Sequence, residues 1–322
     1  MTWPQAYGGR ERSALERYVV LEELLAAGAP VSAHWIADRQ SGPLLLRYGS
    51  AAQKSEILPK IARGELCFCI GLSEPGAGSD VAALRSRARK TDRGWVVNGA
   101  KLWTTNAHHA HYMIALLRSD GEAGDRHKGL SQFLIDLSLP GVTVRPIADL
   151  TGSIHFNEVV FEDVALPGEA LIGGRGEGWR QVMAELALER SGPERFLSSF
   201  QALIALIRHL QLHPTDEGLA LVGRLVAQLT TLRKMSISVA GMLEAESDPA
   251  LEACIVKDLG TGYEQLLPEA VQALLGLDLD LDGGSDLTQV IGQLTLMSPA
   301  FSLRGGTREI LRGIIARGLG LR

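Results

Sequence analysis

The chain has 322 residues, of which 46% are hydrophobic and 21% are charged, and its formal net charge is -5 at pH 7. This composition excludes collagen-like and disordered chains, and the lack of a long basic run argues against nucleic-acid binding. The longest apolar runs fall far short of the roughly 20 residues that span a bilayer, and the N-terminus lacks a signal pattern. We therefore expect a cytoplasmic protein that binds neither nucleic acid nor membrane.

The first 65 residues are predicted to form a helical N-terminal domain. Arg12–Ala27 has the periodicity of an amphipathic helix, which Gly28 and Pro30 close, and Gln53–Ile61 has that of a shorter helix. Because one compact core would be unusual at this chain length, we expect further domains to follow.

Residues 66–175 change to alternating, β-branched runs separated by turn signals. The runs are Trp95–Val97, Tyr112–Leu117, Gln132–Leu137 and Val142–Ile147, and the turn signals are Asn98-Gly99, Ser119-Asp120-Gly121 and Pro140-Gly141. This pattern is typical of a compact all-β domain, which we interpret as a β-barrel.

Residues 176–322 return to helical periodicity. The Leu- and Ala-rich segments are Trp179–Leu212, Leu219–Ala245, Ala250–Leu275 and Thr307–Arg317, interrupted by a polar break at His213–Gly218 and an acidic, Gly-rich loop at Asp278–Asp286. These segments predict a four-helix bundle. The predicted fold class is therefore α+β and multi-domain, with the helical domain over residues 1–65, the β-barrel over 66–175 and the bundle over 176–322.

The three cysteines, Cys67, Cys69 and Cys254, are odd in number and include a C-x-C spacing that forms no conventional disulfide framework. No further Cys or His follows at zinc-ligand spacing, so we expect small buried side chains and no metal site.

A Gly-rich segment, Leu72–Asp80, directly follows a strand-like run and has the sequence LSEPGAGSD. Small residues in such a turn let backbone N–H groups approach anionic oxygens, and Ser73 and Ser79 add hydroxyl donors. The segment is neither a Walker loop nor a Rossmann fingerprint, because the Gly-Lys-Ser/Thr and the helix-opening G-x-G-x-x-G are missing.

A second motif, Asn98–Asn106, has the sequence NGAKLWTTN and is interpreted as a hairpin turn that leads into a short strand. Trp103 beside Thr104 and Thr105 offers a flat apolar face with polar groups next to it. Such a surface suits an aromatic ring system with a hydrogen-bonding edge.

The two motifs at this spacing resemble the middle domain of the acyl-CoA dehydrogenase family. The resemblance covers nearly the whole chain, because similar motifs continue on both sides. They are Trp3-Pro4 with Tyr7-Gly8-Gly9, Tyr48–Lys54, Phe156–Val159, Asp163–Pro167, and Gly176-x-Gly178-Trp179, which opens the family's long substrate-facing helix.

The resemblance implies FAD as the cofactor. Leu72 and Ser73 would lie near the isoalloxazine edge, Ser79 toward the pyrophosphate or pantetheine, and Trp103 and Thr105 against the ring. The full set of implied FAD contacts is Ile70, Leu72, Ser73, Gly78, Ser79, Trp103, Thr104, Thr105 and Thr307.

The resemblance also implies α,β-desaturation of an acyl-CoA thioester, which needs a carboxylate to take the α-proton. Most of the family carries this Glu in a Y-E-G-T motif, whereas the matching stretch here is Arg304–Thr307, with Gly305 at the position of the base. Isovaleryl and long-chain members instead carry the base before an Arg on the helix that follows the β domain.

Glu189, followed by Arg190, stands at that helical position and is the expected catalytic base. An apolar pocket would raise the pKa of such a carboxyl group and so match it to the α-proton. Ser79, Arg190 and Gly306 are the expected substrate contacts. Glu185 and Glu194 on the same predicted helix are interpreted as structural.

Two family elements are altered in the predicted bundle. The R-x-x-F-G element has no counterpart at His213–Gly223, and the Q-x-x-G-G-x-G element is reduced to Gln272–Gly276. In the family these elements bind FAD across a dimer interface.

Three alternatives follow. The chain forms an active homodimer or homotetramer, it is one subunit of a heteromeric dehydrogenase (a heterotetramer) whose partner completes the FAD site, or it is a non-catalytic scaffold on the same fold. For an active enzyme, the resemblance implies electron-transferring flavoprotein as a partner.

Overall fold

The structure is a computed structural model that describes residues 1–119, 126–190, 192–278, 281 and 283–321, without the side chains of residues 33, 34 and 186–189. The chain divides into two compact units. Unit 1 comprises Met1–Glu11 and Val31–Leu188, and unit 2 comprises Arg12–Pro30 and Glu189–Arg322. The boundaries of the three predicted domains stay a prediction.

Helices and strands follow one another in the predicted coarse order. The described helices are α1 (Ala14–Ala26), α2 (Ser32–Ile36), α3 (Gly42–Tyr48), α4 (Ala51–Ala62), α5 (Gly178–Glu189), α6 (Phe200–Leu212), α7 (Asp216–Glu244), α8 (Ala250–Leu275), α9 (Asp286–Phe301) and α10 (Arg308–Gly318). The described strands are β1 (Phe68–Gly71), β2 (Arg87–Thr91), β3 (Gly94–Thr105), β4 (Tyr112–Arg118), β5 (Leu130–Asp136), β6 (Val142–Ala148), β7 (Ile154–Leu166) and β8 (Leu171–Ile172).

Both predicted N-terminal helices are present as α1 and α4, and capping boxes fix where they begin. The Ser13 hydroxyl accepts from the Glu16 amide at 3.1 Å, and the Glu16 carboxylate accepts from the Ser13 amide at 2.9 Å. Ser50 and Gln53 make the same reciprocal pair ahead of α4. These bonds satisfy amides that have no partner within the helix itself.

The eight strands of unit 1 form one mixed sheet in the order β6-β7-β3-β2-β4-β5-β8, with β1 parallel to β4. The predicted β-barrel is wrong, because the sheet is open between β6 and β8 over the described residues. β8 has only two residues, which is too short to pair along β6 and close the sheet.

The central strand β4 is buried on both faces. Its alternating side chains belong to different apolar clusters: Met113, Ala115 and Leu117 pack with the core that contains Trp95 and Phe133. Ile114 packs instead with a core that includes residues of α3 and α4. A strand covered on both sides explains the nearly continuous apolar run seen in the sequence.

The Asn98-Gly99 pair is not a hairpin turn, so that interpretation was wrong. Both residues lie inside β3, where the pairing with β7 shifts register between Val97 and Gly99. The Asn98 amide Nδ2 donates to Asp163 Oδ1 at 2.9 Å, and the Asp163 amide donates to Asn98 Oδ1 at 2.9 Å. The irregularity is therefore a β-bulge fixed by side chains, which uses the same residue types as a turn.

The predicted helix over residues 179–212 is also wrong, because it is two helices, α5 and α6. Gly192 adopts extended backbone angles, and Pro193 opens a short 3₁₀ turn. Proline lacks an N–H group and disfavours helical angles in the residue before it, which ends the continuous periodicity.

The larger apolar cluster of unit 2 receives residues from α6, α7, α8 and α9, for example Leu206, Leu225, Leu267 and Ile291. The sequence interpretation missed α9, which begins at a Ser285 cap within the acidic loop. The predicted loop residues 279, 280 and 282 lie outside the described residues.

The three cysteines are free thiols; Cys69 and Cys254 are buried, and Cys67 is half-buried. Burial raises the pKa of the Cys69 thiol. Within the described part of the chain, no helix combines the length and apolarity needed to cross a membrane.

Two glycines of unit 2 offer a matched test of its packing. A Cβ at Gly260 in α8 would lie 2.4 Å from the Arg195 carbonyl oxygen, whereas a Cβ at Gly223 in α7 would meet nothing within 4 Å. We expect Gly260→Ala to lower the free energy of unfolding by about 1–3 kcal/mol. Gly223→Ala should raise it by about 0.5–1 kcal/mol. Urea denaturation measures both, and equal effects of the two substitutions would contradict the packing.

Candidate active site

The Gly-rich segment forms a tight turn immediately after β1. The amides of Glu74 and Ala77 each donate to the carbonyl of the other, at 2.9 and 3.1 Å. A Cβ placed on Gly76 or Gly78 would meet nothing within 4 Å, so packing does not explain these glycines. Their backbone is open to a ligand, as the sequence predicts for a turn that binds anionic oxygens.

Trp103 lies on β3 in an unusual conformation. Its φ of 60° is in the left-handed region, at a register shift between Lys101 and Thr104 in the pairing with β7. The residue is 55% exposed, and its ring packs edge-to-face against Phe156 at a centroid distance of 6.0 Å. Such backbone strain costs about 1–3 kcal/mol and clusters at functional sites. The bulge therefore presents a flat aromatic face at the surface of unit 1.

Backbone and side-chain bonds join the two motifs. The Leu102 amide donates to the Ser73 carbonyl at 2.9 Å, and Lys101 Nζ donates to the Leu72 carbonyl at 3.2 Å. Leu72 and Ser73 are therefore neighbours of the residues that flank Trp103, although about thirty positions separate them along the chain.

The other predicted FAD contacts of unit 1 surround this junction. Ile70 pairs with Ile114 in the parallel β1–β4 ladder, and Ser79 is exposed at the end of the turn. Thr105 is half-buried, whereas Thr104 is only 1% exposed.

The Thr104 hydroxyl has no hydrogen-bond partner among the described residues, although the Thr104 carbonyl accepts from Asn157 Nδ2 at 3.0 Å. A buried hydroxyl without a partner is costly. The open turn and the exposed aromatic face together fit the phosphate and isoalloxazine groups of FAD.

The predicted catalytic residue, Glu189, is the last residue of α5, and its side chain lies outside the described residues. Arg190 is buried in unit 2, where Nε donates to the Gly305 carbonyl at 3.3 Å and Nη1 to Cys254 Sγ at 3.5 Å. Arg190, which follows the predicted base, is therefore in direct contact with Gly305, which stands where most of the family carries its base.

The turn at residues 304–307 is held by further buried charges on α8. Lys257 Nζ donates to the Gly306 carbonyl at 3.2 Å, and Arg304 pairs with Glu264 at 2.7 Å. Thr307 caps α10, and its hydroxyl accepts from the Ile310 amide at 3.5 Å. A Cβ placed on Gly306 would lie 3.7 Å from Arg190 Nη2, so Gly306 lies beside Arg190 within unit 2.

Asp258 adds a second anchor for α10, because its carboxylate pairs with Arg308 at 2.7 Å and Arg312 at 3.4 Å. Burial by itself would raise the pKa of Asp258, but the two guanidinium groups lower it below its ordinary value.

Several charged residues of these networks were not predicted from the sequence. Glu74 lies within the Gly-rich motif and Lys101 within the Asn98–Asn106 motif, and these positions were the sequence signal that could have identified them. Lys257 and Glu264 are single charges on a long helix and gave no such signal. Glu185 is also buried, and its carboxylate accepts from Gln132 Nε2 at 3.2 Å.

Comparison with known proteins identifies the family. The model of the acyl-CoA dehydrogenase N-terminal domain matches residues 1–65, and that of the middle domain matches residues 69–164. Acyl-CoA dehydrogenase IpdE1 of Mycobacterium tuberculosis is 34% identical, over 99% of this chain and 83% of the relative. FadE34 of the same organism is 32% identical, and the chain spans only 44% of its length.

The structure of the Tcur3481-Tcur3483 steroid ACAD superposes with a TM-score of 0.90 at 28% identity, over 100% of this chain and 85% of the compared chain. Sequence, domain models and fold therefore agree: the chain belongs to the acyl-CoA dehydrogenase family of FAD-dependent oxidoreductases.

Proposed function

We propose that the chain desaturates an acyl-CoA thioester, with Glu189 as the base that removes the α-proton. The observation that carries this proposal is the junction of the Gly-rich turn with the Trp103 bulge through the Leu102–Ser73 hydrogen bond. It brings together the open backbone and the flat aromatic face that an oxidising flavin needs.

In this proposal the backbone of Leu72 and Ser73 meets the isoalloxazine edge, and Trp103 with Thr105 covers the ring. Ile70, Gly78, Ser79, Thr104 and Thr307 complete the contacts proposed for FAD. When bound, FAD supplies the acceptor for the hydride that leaves the β-carbon. The protein's own task is to hold the thioester with its α-carbon between this acceptor and a carboxylate.

The geometry around Gly305 supports a base on α5. Gly305 has no side chain, and its carbonyl is engaged by Arg190, so residue 305 supplies no carboxylate. Arg190 follows Glu189 in the sequence, is buried, and contacts the turn that in most of the family carries the base. We also propose that Ser79, Arg190 and Gly306 contact the acyl-CoA.

Glu189→Gln tests the base. The amide cannot accept the α-proton, so we expect FAD to stay bound while reduction of the flavin by acyl-CoA slows by about 10²–10⁴-fold. Anaerobic bleaching of the flavin absorption band, with straight, branched and ring-bearing acyl-CoAs, measures this.

Glu185→Gln is the matched control one helical turn away, because an amide at that position still accepts from Gln132. We expect near-normal bleaching in this variant. Normal bleaching in Glu189→Gln would exclude Glu189 as the base.

A heteromeric assembly is the second candidate. The R-x-x-F-G and Q-x-x-G-G-x-G elements that complete the FAD site in the family are altered in α7 and α8. The similar structure, the Tcur3481-Tcur3483 steroid ACAD, is named for two proteins. The packing of α6 to α9 around one cluster supports the predicted four-helix bundle, on which such a partner or a second copy would assemble. Electron-transferring flavoprotein is the proposed electron acceptor.

The colour and mass of the purified chain separate these assemblies. A yellow homodimer or homotetramer is the result expected for the first assembly, in which a second copy of the chain completes the FAD site despite the altered elements. Absorption spectra with light scattering measure both properties. A colourless chain that turns yellow only with a homologous subunit carrying the two altered elements would establish the heteromer. A chain without flavin under both conditions would support the scaffold, and a flavin-bearing monomer would contradict every assembly proposed.

A further inference from the structure

Lys101 is a fully buried lysine directly beneath the Gly-rich turn. Its side chain is 0% exposed, yet Nζ makes two specific bonds, to the Leu72 carbonyl at 3.2 Å and to Glu74 Oε1 at 2.8 Å. One ammonium group therefore binds the two residues that flank Ser73, Leu72 and Glu74. The Ser73 carbonyl itself accepts from the amide of Leu102, the residue after Lys101 on β3.

Glu74 extends the same connection to a third segment. Its carboxylate accepts from the backbone amides of Arg85 at 2.6 Å and Ser86 at 3.0 Å, just before β2. Glu74 is 7% exposed. The pair thus ties together the turn, β3 and the residues that lead into β2, using charge-assisted bonds that are stronger than neutral ones.

Stability alone does not explain a charged pair at this depth. The desolvation of two ions offsets most of their attraction, and apolar residues of similar volume are often as stable or more stable. Lys101 is also too deeply buried to contact a ligand at the surface of the turn directly. A role that acts through the backbone they hold is therefore favoured.

We propose that Lys101 and Glu74 are positioning residues that hold the Leu72–Ser73 backbone against the Trp103 strand, so that the FAD surface is formed before FAD arrives. This inference rests on the proposed location of FAD. A preformed surface binds more tightly, because less ordering is needed on binding.

The protonation of Lys101 provides a readout that a general packing role would not give. Burial lowers the pKa of Lys101 to about 8, although Glu74 opposes the shift. Burial by itself would raise the pKa of Glu74, but Lys101 and hydrogen bonds from the Arg85 amide and the Ser86 side chain hold it below its ordinary value. Lys101 is the charged group that shifts the pKa of Glu74, and Glu74 is the one that shifts the pKa of Lys101. The neighbouring Arg85 side chain is exposed.

As pH rises through the Lys101 pKa, the affinity for FAD should fall while the free energy of unfolding should rise. Above about pH 8 the native Lys101 loses its proton, so its hold on Leu72 and Glu74 weakens and FAD affinity falls. The unfolded chain keeps this proton up to the ordinary lysine pKa. It therefore binds more protons over that interval, and the contribution of Lys101 to the free energy of unfolding rises with pH.

The experiment measures FAD dissociation constants by fluorescence titration of the deflavinated protein, below and above pH 8. It compares the wild type with Lys101→Met, Glu74→Gln, the double variant and Lys90→Met, an exposed-lysine control on β2. Hydrogen exchange of the Leu102, Arg85 and Ser86 amides without FAD reports the turn directly. Urea denaturation of each variant reports global folding.

We expect wild-type affinity to fall about tenfold across the Lys101 titration, and Lys101→Met to lose about tenfold at neutral pH with no further pH step. The amides should exchange faster in Lys101→Met and Glu74→Gln, and the double variant should resemble the single variants. Lys90→Met should match the wild type.

A wild-type affinity without a step near pH 8, together with unchanged affinity and exchange in Lys101→Met, would overturn the positioning role and leave the proposed function intact. Where Lys101→Met does not fold, Glu74→Gln decides the question, because unchanged FAD affinity and unchanged amide exchange in that variant would overturn the positioning role. A wild type that binds no FAD, alone or with its partner, would overturn both proposals.

Discussion

The hydrogen bond from the Leu102 amide to the Ser73 carbonyl is the constraint on which the rest of the proposed site depends. It joins a turn that follows β1 to a strand about thirty residues later, next to a bulge that turns Trp103 outward. Without this junction the open glycines and the exposed ring would be two unrelated surface features. The buried Lys101–Glu74 pair lies beneath it and connects the same two segments a second time.

Much of unit 1 could be predicted from the sequence, because local signals and tertiary packing agree there. β1 and the turn after it were expected from an apolar run followed by glycines. The Asn98-Gly99 pair led to a wrong prediction of a hairpin turn. A bulge and a hairpin both use residues that tolerate unusual backbone angles, and only the pairing with a partner strand distinguishes them. Closure of the sheet could not be judged either, since it depends on how far the two-residue strand β8 reaches.

Prediction was weaker in unit 2. Gly192-Pro193 splits a periodic segment in two, and the Leu- and Ala-rich composition on both sides concealed the break. The buried charges Lys257 and Glu264 could not be found, because a single charge on a helix is usually solvated and only tertiary contacts show otherwise. Gly305 carried a clear signal through its departure from the family motif. The structure adds that its carbonyl is held by Arg190, the residue that follows the proposed base.

The central claim is that FAD lies on the junction of the two motifs, with the Glu189 carboxylate on the opposite face of the thioester. A crystal structure with FAD and a non-reactive acyl-CoA analogue tests it most directly. We expect the isoalloxazine edge at the Leu72–Ser73 backbone, its ring against Trp103, and Glu189 facing the α-carbon. A Glu189 side chain in solvent or paired with a distant cation, or FAD bound away from Trp103, would contradict the account.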